Sequence, residues 1–247
     1  YEKAKDDDAD AKLSRKEQKL AVSTKLAAAR DVGPGKDAEL ILVEGDSAAG
    51  SLKENRDADY QAILPLRGKI LNVEKSTLSR ALANQEIATI FSVLGAGYGK
   101  NYDDHKLQYD KVIICTDADV DGAHISVLLQ TLFLKYLPGL MENGHVYRMI
   151  TPLFVNTMKN GEEVYTYDDK EQEDFLAKHR NDLDEVNRNK GLGELTKKQV
   201  IETILTPETR HMQQIEINDE DSAYDTVDAL MGTNVSERKK LFTSGEN

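Results

Sequence analysis

The order of apolar segments along the chain is the feature that most restricts its fold. Residues 39–43 and 111–116 are short apolar runs typical of strands buried on both faces of a sheet, and residues 145–150 fit a further strand. Between them, residues 76–94 and 125–137 carry apolar side chains at helical spacing. This alternation predicts an α/β fold in which a mainly parallel sheet has helices on both faces.

Two glycine- and proline-containing features refine this prediction. Residues 62–73 are apolar but contain Pro65 and Gly68, so they are expected to form a broken or edge strand. Farther along, Asn160-Gly161 separates two strand-like segments and predicts a β-hairpin. We expect the chain beyond this hairpin to be mostly helical, with Thr196 capping a helix at 197–205, a short strand at 212–217, and a last helix from Asp219 to Gly232.

The chain is predicted to contain three regions. They are a helical linker (residues 1–28), the α/β domain (29–158) and a smaller α+β tail region (159–247). The chain starts at Tyr1 in a charged, helix-prone stretch without an obvious domain start, which predicts a piece of a longer protein.

The net charge of −12 over 247 residues argues against nucleic acid binding, which depends on phosphate neutralisation by Lys and Arg. The excess acid is concentrated in residues 6–10 and 162–185, however, so a local positive face remains compatible with the composition. The single cysteine, Cys115, excludes an internal disulfide, and no stretch approaches the roughly 20 apolar residues of a membrane span. A cytoplasmic location is therefore predicted.

Acidic residues follow each of the first two apolar runs. Glu44 ends the first run, and Asp117, Asp119 and Asp121 alternate after the second. At the carboxyl ends of parallel strands these residues would meet at one edge of the sheet, and an extended backbone would send the three aspartates to one side. Such carboxylates must raise their pKa values, separate, or hold a hard divalent cation such as Mg²⁺, Mn²⁺ or Ca²⁺.

Other interpretations of the aspartates are open at this point. Asp-rich loops after strands are often solvated turns or helix caps. A calcium-binding EF-hand is excluded, because its twelfth position would be Leu128 within an apolar helix. A phosphohydrolase of the haloacid dehalogenase type also places Asp-x-Asp after a strand, although it has Thr or Val where Asp121 stands.

The combination of motifs is more specific than any one of them. Glu44-Gly-Asp-Ser-Ala48 together with Asp117-Ala-Asp-Val-Asp-Gly-Ala-His-Ile125 resembles the Toprim domain, a Rossmann-like fold of topoisomerases. The segments that extend the resemblance to the B subunits of bacterial type II DNA topoisomerases, gyrase and topoisomerase IV, are 61–75, 144–147, 190–194 and 230–232.

The resemblance implies a role for each matching residue. Glu44, Asp117 and Asp119 would be the principal Mg²⁺ ligands, with Asp121 as a ligand or water-mediated support and with Mn²⁺ or Ca²⁺ as substitutes. Glu44 would also return a proton to the leaving oxygen. Residues that would lie close to double-stranded DNA, unless they only balance nearby acids, are Arg67, Lys69 and Lys190.

The resemblance also implies partners outside this chain. The nucleophilic tyrosine would belong to an A subunit in an A2B2 heterotetramer, and ATP would bind a preceding region, so the chain alone is expected to be inactive. The tail region would pack on the Toprim domain and face DNA or the A subunit. Gly95-Ala-Gly-Tyr-Gly99 favours topoisomerase IV slightly over gyrase, and Asn189 stands where the family commonly has an aromatic residue. The alternatives from other classes are the phosphohydrolase and a non-catalytic metal-binding interaction module.

Overall fold

The computed structural model describes residues 24–217 and 219–233, so most of the predicted linker (1–28) lies outside the described residues. The strands are β1 Glu39–Glu44, β2 Gln61–Leu66, β3 Lys111–Cys115, β4 Val146–Ile150, β5 Phe154–Met158, β6 Glu163–Thr166, β7 Leu183–Arg188 and β8 His211–Gln214. The helices are α1 Asp46–Asn55, α2 Leu78–Ala83, α3 Gln85–Leu94, α4 Val120–Tyr136, α5 Pro138–Glu142, α6 Asp169–His179, α7 Lys197–Val200 and α8 Glu220–Met231. None of the helices in these ranges is long and apolar enough to cross a membrane.

The larger sheet has the strand order β2-β1-β3-β4-β8. Strands β2, β1, β3 and β4 run parallel, and β8 pairs antiparallel with β4, which confirms the prediction of a mainly parallel sheet. Strand β2 lies at the edge of the sheet, as predicted from Pro65, which has no backbone N–H to donate to a second neighbouring strand.

Helices cover both faces of this sheet, because the side chains of its central strands alternate between two apolar cores. Leu40 and Leu42 of β1 face the core that contains α3, α4 and α5. Ile41 and Val43 of the same strand face the core that contains α1, α7 and the segment after α7. These four side chains are fully buried, which explains the continuous apolar run that the sequence shows here.

The helix predicted at 76–94 is two helices that meet at Asn84. The backbone of Asn84 is extended, and its side chain accepts a hydrogen bond from the N–H of Ile87, so it ends α2 and caps α3. Asparagine favours such caps because its side chain competes for backbone hydrogen bonds. Gly95 ends α3 in the left-handed conformation with φ of 71°, as the glycine at this position predicted.

The tail region contains a second, antiparallel sheet with the order β6-β5-β7. The predicted hairpin at Asn160-Gly161 is confirmed as β5 and β6, whereas the prediction of a largely helical remainder was wrong at β7. Strand β7 is mostly exposed and has a weak apolar pattern, so pairing with β5 rather than sequence pattern determines its conformation.

The predicted ends of the later helices are confirmed. Thr196 forms a capping box with Gln199 at the start of α7, and residues Ile201–Leu205 continue it as a π-helical turn. Asp219 caps α8, and Gly232 ends it.

A buried ion pair joins the tail to the start of β1. Arg210 donates from Nη1 to Glu39 Oε2 at 2.7 Å and from Nη2 to Glu39 Oε1 at 2.5 Å. Gln61 donates to the same carboxylate at 3.1 Å and to the carbonyl of Leu205 at 2.9 Å. This bidentate arrangement fixes the residues before β8 against the larger sheet.

Candidate functional site

Glu44 and Asp117 lie together at the carboxyl edge of the larger sheet. Strands β1 and β3 are parallel neighbours with Val43 opposite Cys115, so the chain leaves both strands on the same side. The backbone N–H of Asp117 donates to Glu44 Oε2 at 3.2 Å. The edge of the sheet therefore holds the two predicted acids in direct contact.

The conformation that was predicted for the three aspartates is wrong. Helix α4 starts at Val120 rather than Ile125, because Asp119 caps it by accepting a hydrogen bond from the N–H of Gly122 at 2.7 Å. Asp121 is then in the first helical turn, exposed to solvent. The three aspartates therefore do not lie on one extended segment: Asp117 precedes the helix, Asp119 caps it and Asp121 lies in its first turn.

Gly122 allows this tight strand-to-helix connection. A Cβ atom at residue 122 would lie 2.1 Å from the carbonyl oxygen of Asp117, closer than any side chain permits. The Asp-Gly dipeptide in this motif is thus explained by a close approach between α4 and the backbone after β3.

A loop from the tail region, residues 190–194, reaches the same edge. The N–H of Leu192 donates to Asp117 Oδ1 at 2.7 Å. A Cβ at Gly191 would lie 3.2 Å from the carboxylate of Asp117, and one at Gly193 would lie 3.4 Å from the Ser47 hydroxyl. Sequence reasoning missed the Leu192 contact, although two glycines around one leucine are typical of a backbone that packs closely against a neighbour.

Asn189 holds the start of this loop. Its side-chain amide donates to the carbonyl of Pro152 at 3.0 Å, and its side-chain oxygen accepts from the N–H of Gly191 at 3.2 Å. An aromatic residue has neither group, so in this chain hydrogen bonding to the backbone positions the loop.

The predicted basic residues lie at different places around the edge. Lys69 Nζ is 2.7 Å from Asp121 Oδ1, and Arg67 Nε is 3.1 Å from Asp46 Oδ2, with all four side chains exposed. Lys190 is exposed in the loop and lines a cavity of about 490 Å³ beside Glu194. Two of the three basic residues thus pair with acids in this structure.

Ser47 follows Glu44 closely, and serine often caps helices, but it does not cap the helix here. Helix α1 begins one residue earlier, and its N-cap is Gly45, which has φ of 79° and offers no side-chain hydrogen bond. Ser47 is therefore inside the first turn, on the side that Gly193 approaches.

The charges of the three aspartates act on Glu44. Burial raises the pKa of Glu44 above its usual value of 4.5, the N–H of Asp117 opposes this, and the charges of Asp117, Asp119 and Asp121 raise it further. The hydrogen bond and charge of Lys69 lower the pKa of Asp121. Within residues 24–217 and 219–233, however, no three His, Cys, Asp or Glu side chains are arranged as a ready metal cluster.

Two domain families match the chain in sequence order. The Toprim domain matches residues 39–150, and the carboxyl terminus of the DNA gyrase B subunit matches residues 182–243. The chain belongs to the B subunits of bacterial type II DNA topoisomerases. The resemblance of the Glu44 and Asp117–Ile125 segments to a Toprim domain is thereby confirmed. The two matches lie within the predicted regions 29–158 and 159–247, whose boundaries stay a prediction.

Individual members of this family are similar over most of the chain. The DNA gyrase B subunit of Thermotoga maritima is 47% identical over 205 residues, which are 83% of this chain and 32% of that protein. The DNA gyrase B subunit of Mycolicibacterium smegmatis is 42% identical over 225 residues, 89% of this chain and 33% of that protein. The one from Spiroplasma citri is 47% identical over 212 residues, 84% of this chain and 32% of that protein. The chain therefore spans about a third of the length of these relatives.

Proposed function

We propose that this chain provides the divalent-metal site of an ATP-dependent type II DNA topoisomerase. In this proposal it supports reversible cleavage of double-stranded DNA by a tyrosine of a partner A subunit. The observation that carries the proposal is the convergence of Glu44, Asp117 and the 190–194 loop at one edge of the sheet. Membership of the topoisomerase B subunits favours this function over the phosphohydrolase and the interaction module.

The four acidic side chains at this edge are chemically suited to bind Mg²⁺. All are carboxylates, which are the ligands that hard divalent cations prefer, and Mn²⁺ or Ca²⁺ would substitute. Burial raises the pKa of Glu44, and the negative charges of the three aspartates raise it further; a cation would relieve this repulsion. Residues that would hold the ion, directly or through water, are Glu44, Asp117, Asp119 and Asp121. When bound, the ion would neutralise charge on the reacting phosphate.

The structural hydrogen bonds of Asp117 and Asp119 are compatible with this role. Each uses one carboxylate oxygen to accept a backbone N–H, from Leu192 and Gly122 respectively. These bonds orient the carboxylates in advance, as the outer hydrogen bonds of metal ligands do. The second oxygen of each group then remains for the metal.

Glu44 is also the candidate for proton transfer. Its raised pKa brings protonation closer to neutral pH, so the carboxyl group is better suited to return a proton to the leaving 3′ oxygen. The exposed cations of Arg67, Lys69 and Lys190 would contact DNA phosphates around this edge. These contacts would supply the local positive charge that the overall composition lacks.

The remaining requirements lie outside this chain. We propose that an A subunit supplies the tyrosine in an A2B2 heterotetramer in the cytoplasm, and that ATP binds a region of the B subunit that precedes these residues. The names of the relatives favour gyrase over topoisomerase IV. The Gly95–Gly99 segment, which favours topoisomerase IV on sequence, has a structural role at the end of α3, so it carries little weight. Supercoiling and decatenation assays of the full enzyme would distinguish the two.

A cleavage assay tests the proposal. The chain is mixed with the A subunit, Mg²⁺ and supercoiled plasmid, and linear DNA is measured after denaturation of the protein. We expect cleavage by the wild-type chain, a loss of at least about 100-fold with Glu44→Gln or Asp119→Asn, and no change with Glu54→Gln in α1. Wild-type cleavage that is insensitive to Glu44→Gln, or that proceeds equally in EDTA, would contradict the proposed site.

A further inference from the structure

Two ion pairs border the candidate site, and only one of them includes a proposed metal ligand. Lys69 pairs with Asp121 at 2.7 Å, and Arg67 pairs with Asp46 at 3.1 Å. Both basic residues follow β2, and both pairs are exposed. Only Asp121 belongs to the proposed metal ligands, so the Arg67 pair is a natural comparison for the Lys69 pair.

The ammonium group of Lys69 contacts one carboxylate oxygen of Asp121, a proposed metal ligand. The hydrogen bond to Oδ1 is 2.7 Å long, and the positive charge of the ammonium group opposes the binding of a second cation beside this carboxylate. The pair is nevertheless weak. Exposed ion pairs of this kind change an equilibrium by only about 1.4- to 5-fold.

A DNA phosphate can exchange with Asp121 as the partner of Lys69. Both are anions with oxygen acceptors, and the lysine side chain is long, flexible and 46% exposed. Because the pair is weak, the dense negative charge of a DNA backbone is sufficient to take over the ammonium group. The Asp121 carboxylate would then face the edge of the sheet without a neutralising ammonium group.

We propose that Lys69 is a positioning residue that couples DNA binding to metal binding: it pairs with Asp121 in the free chain and with a phosphate when DNA binds. This inference rests on the proposed metal site and concerns its regulation. The coupling is reciprocal, so bound metal strengthens DNA binding by the same factor by which DNA strengthens metal binding.

The test measures metal binding without any enzymatic reaction. Mn²⁺ is titrated into the 247-residue chain at constant ionic strength, and free Mn²⁺ is followed by electron paramagnetic resonance. We expect Lys69→Gln to bind Mn²⁺ about 2- to 5-fold more tightly than the wild type in the absence of DNA. Arg67→Gln removes an equal charge from the Asp46 pair and is expected to leave this affinity within about 1.5-fold. An unchanged Mn²⁺ affinity in Lys69→Gln would overturn the inference.

A double-mutant cycle shows whether Lys69 acts through Asp121. In an Asp121→Asn background, Lys69→Gln is expected to have no further effect on Mn²⁺ affinity, because the pair no longer exists. An effect of the same size in both backgrounds would mean that Lys69 contributes only general positive charge, and it would refute the exchange.

The reciprocal measurement uses a short fluorescein-labelled DNA duplex and fluorescence anisotropy. For each protein, the dissociation constant of the duplex without Mn²⁺ is divided by the one with Mn²⁺, so a larger ratio means that Mn²⁺ strengthens DNA binding more. We expect this ratio to be about 2- to 5-fold larger for the wild type than for Lys69→Gln. Arg67→Gln should weaken binding under both conditions and keep the wild-type ratio. Equal ratios in the wild type and Lys69→Gln would overturn the coupling.

The failure of this inference differs from failure of the proposed function. If Glu44→Gln and Asp119→Asn leave Mn²⁺ binding unchanged, the metal site itself is wrong, and the inference falls with it. If those variants abolish binding and Lys69→Gln behaves as the wild type, the site stands and only the exchange is refuted.

Discussion

The ion pair between Arg210 and Glu39 gives the sharpest prediction for stability. Glu39 is 2% exposed and Arg210 8% exposed, so removing the guanidinium in Arg210→Met leaves a carboxylate buried with only Gln61 as a hydrogen-bond donor among the described residues. Lys111 lies 4.0 Å from this carboxylate, too far for a hydrogen bond. Breaking one side of a buried pair typically costs about 3–5 kcal/mol, and we expect a value in this range.

Urea denaturation followed by circular dichroism measures the effect. With a slope of about 2.5 kcal/mol per M, the midpoint should fall by about 1–2 M. Arg30→Met is the matched control, because it breaks an exposed pair with Asp59 and should cost about 1 kcal/mol or less. A loss for Arg210→Met as small as that of the control would refute the reasoning.

The double variant Glu39→Met with Arg210→Met distinguishes the effect of an unpaired buried charge from the effect of lost side-chain packing. Replacing both charges by apolar groups of similar volume is often neutral or stabilising, so the double variant should recover most of the lost stability. Arg210 Nε is buried and has no hydrogen-bond partner among the described residues, which lowers the net value of the pair further. A double variant that is as unstable as Arg210→Met would show that packing, rather than charge, controls this position.

Three further predictions concern the candidate site. Asp119→Ala should lose about 0.5–2 kcal/mol of stability in thermal or urea unfolding by removing the cap of α4, whereas Asp119→Ser should keep the cap and the stability but lose Mn²⁺ affinity. The raised pKa of Glu44 means that the folded state binds its proton more readily than the unfolded state, so this group lowers stability as the pH rises above 4.5. In urea unfolding, Glu44→Gln should therefore be more stable than the wild type at pH 7. It should lose that advantage below pH 4.5. Gly191→Ala would place a Cβ 3.2 Å from the Asp117 carboxylate and should weaken Mn²⁺ binding in a titration while changing stability by about 1 kcal/mol or less.

The strands that lead into the site could be predicted because burial on both faces leaves a simple pattern. Residues 39–43 and 111–116 are apolar without interruption, and Glu44 and Asp117 follow them directly. Pro65 marked the edge strand for an equally local reason, its missing N–H. In these cases the local residue types determine which backbone conformation the segment can adopt.

The features that could not be predicted depend on contacts between distant parts of the chain. Asp119 can lie in an extended segment or cap a helix, and the sequence permits both. In the structure it caps α4, which starts at Val120. Strand β7 forms because β5 offers a partner. The contact between Leu192 and Asp117 joins residues 75 positions apart, which no local pattern reports.

The tail region takes part in the candidate site and is not only attached to the Toprim domain. Its Leu192, Val200 and Ile204 are buried in the same core as Ile41 and Val43 of β1, so they complete one apolar layer of the sheet. Without them that face of the sheet would be open to water.

Polar groups of the same region contact residues at the start of β1 and just after the end of β3. Arg210 neutralises Glu39 at the start of the strand, and the Leu192 N–H orients Asp117 beside Glu44 at its end. Since the position of Asp117 beside Glu44 depends on the Leu192 contact, a shift of the tail region relative to the sheet would alter the geometry of the candidate site.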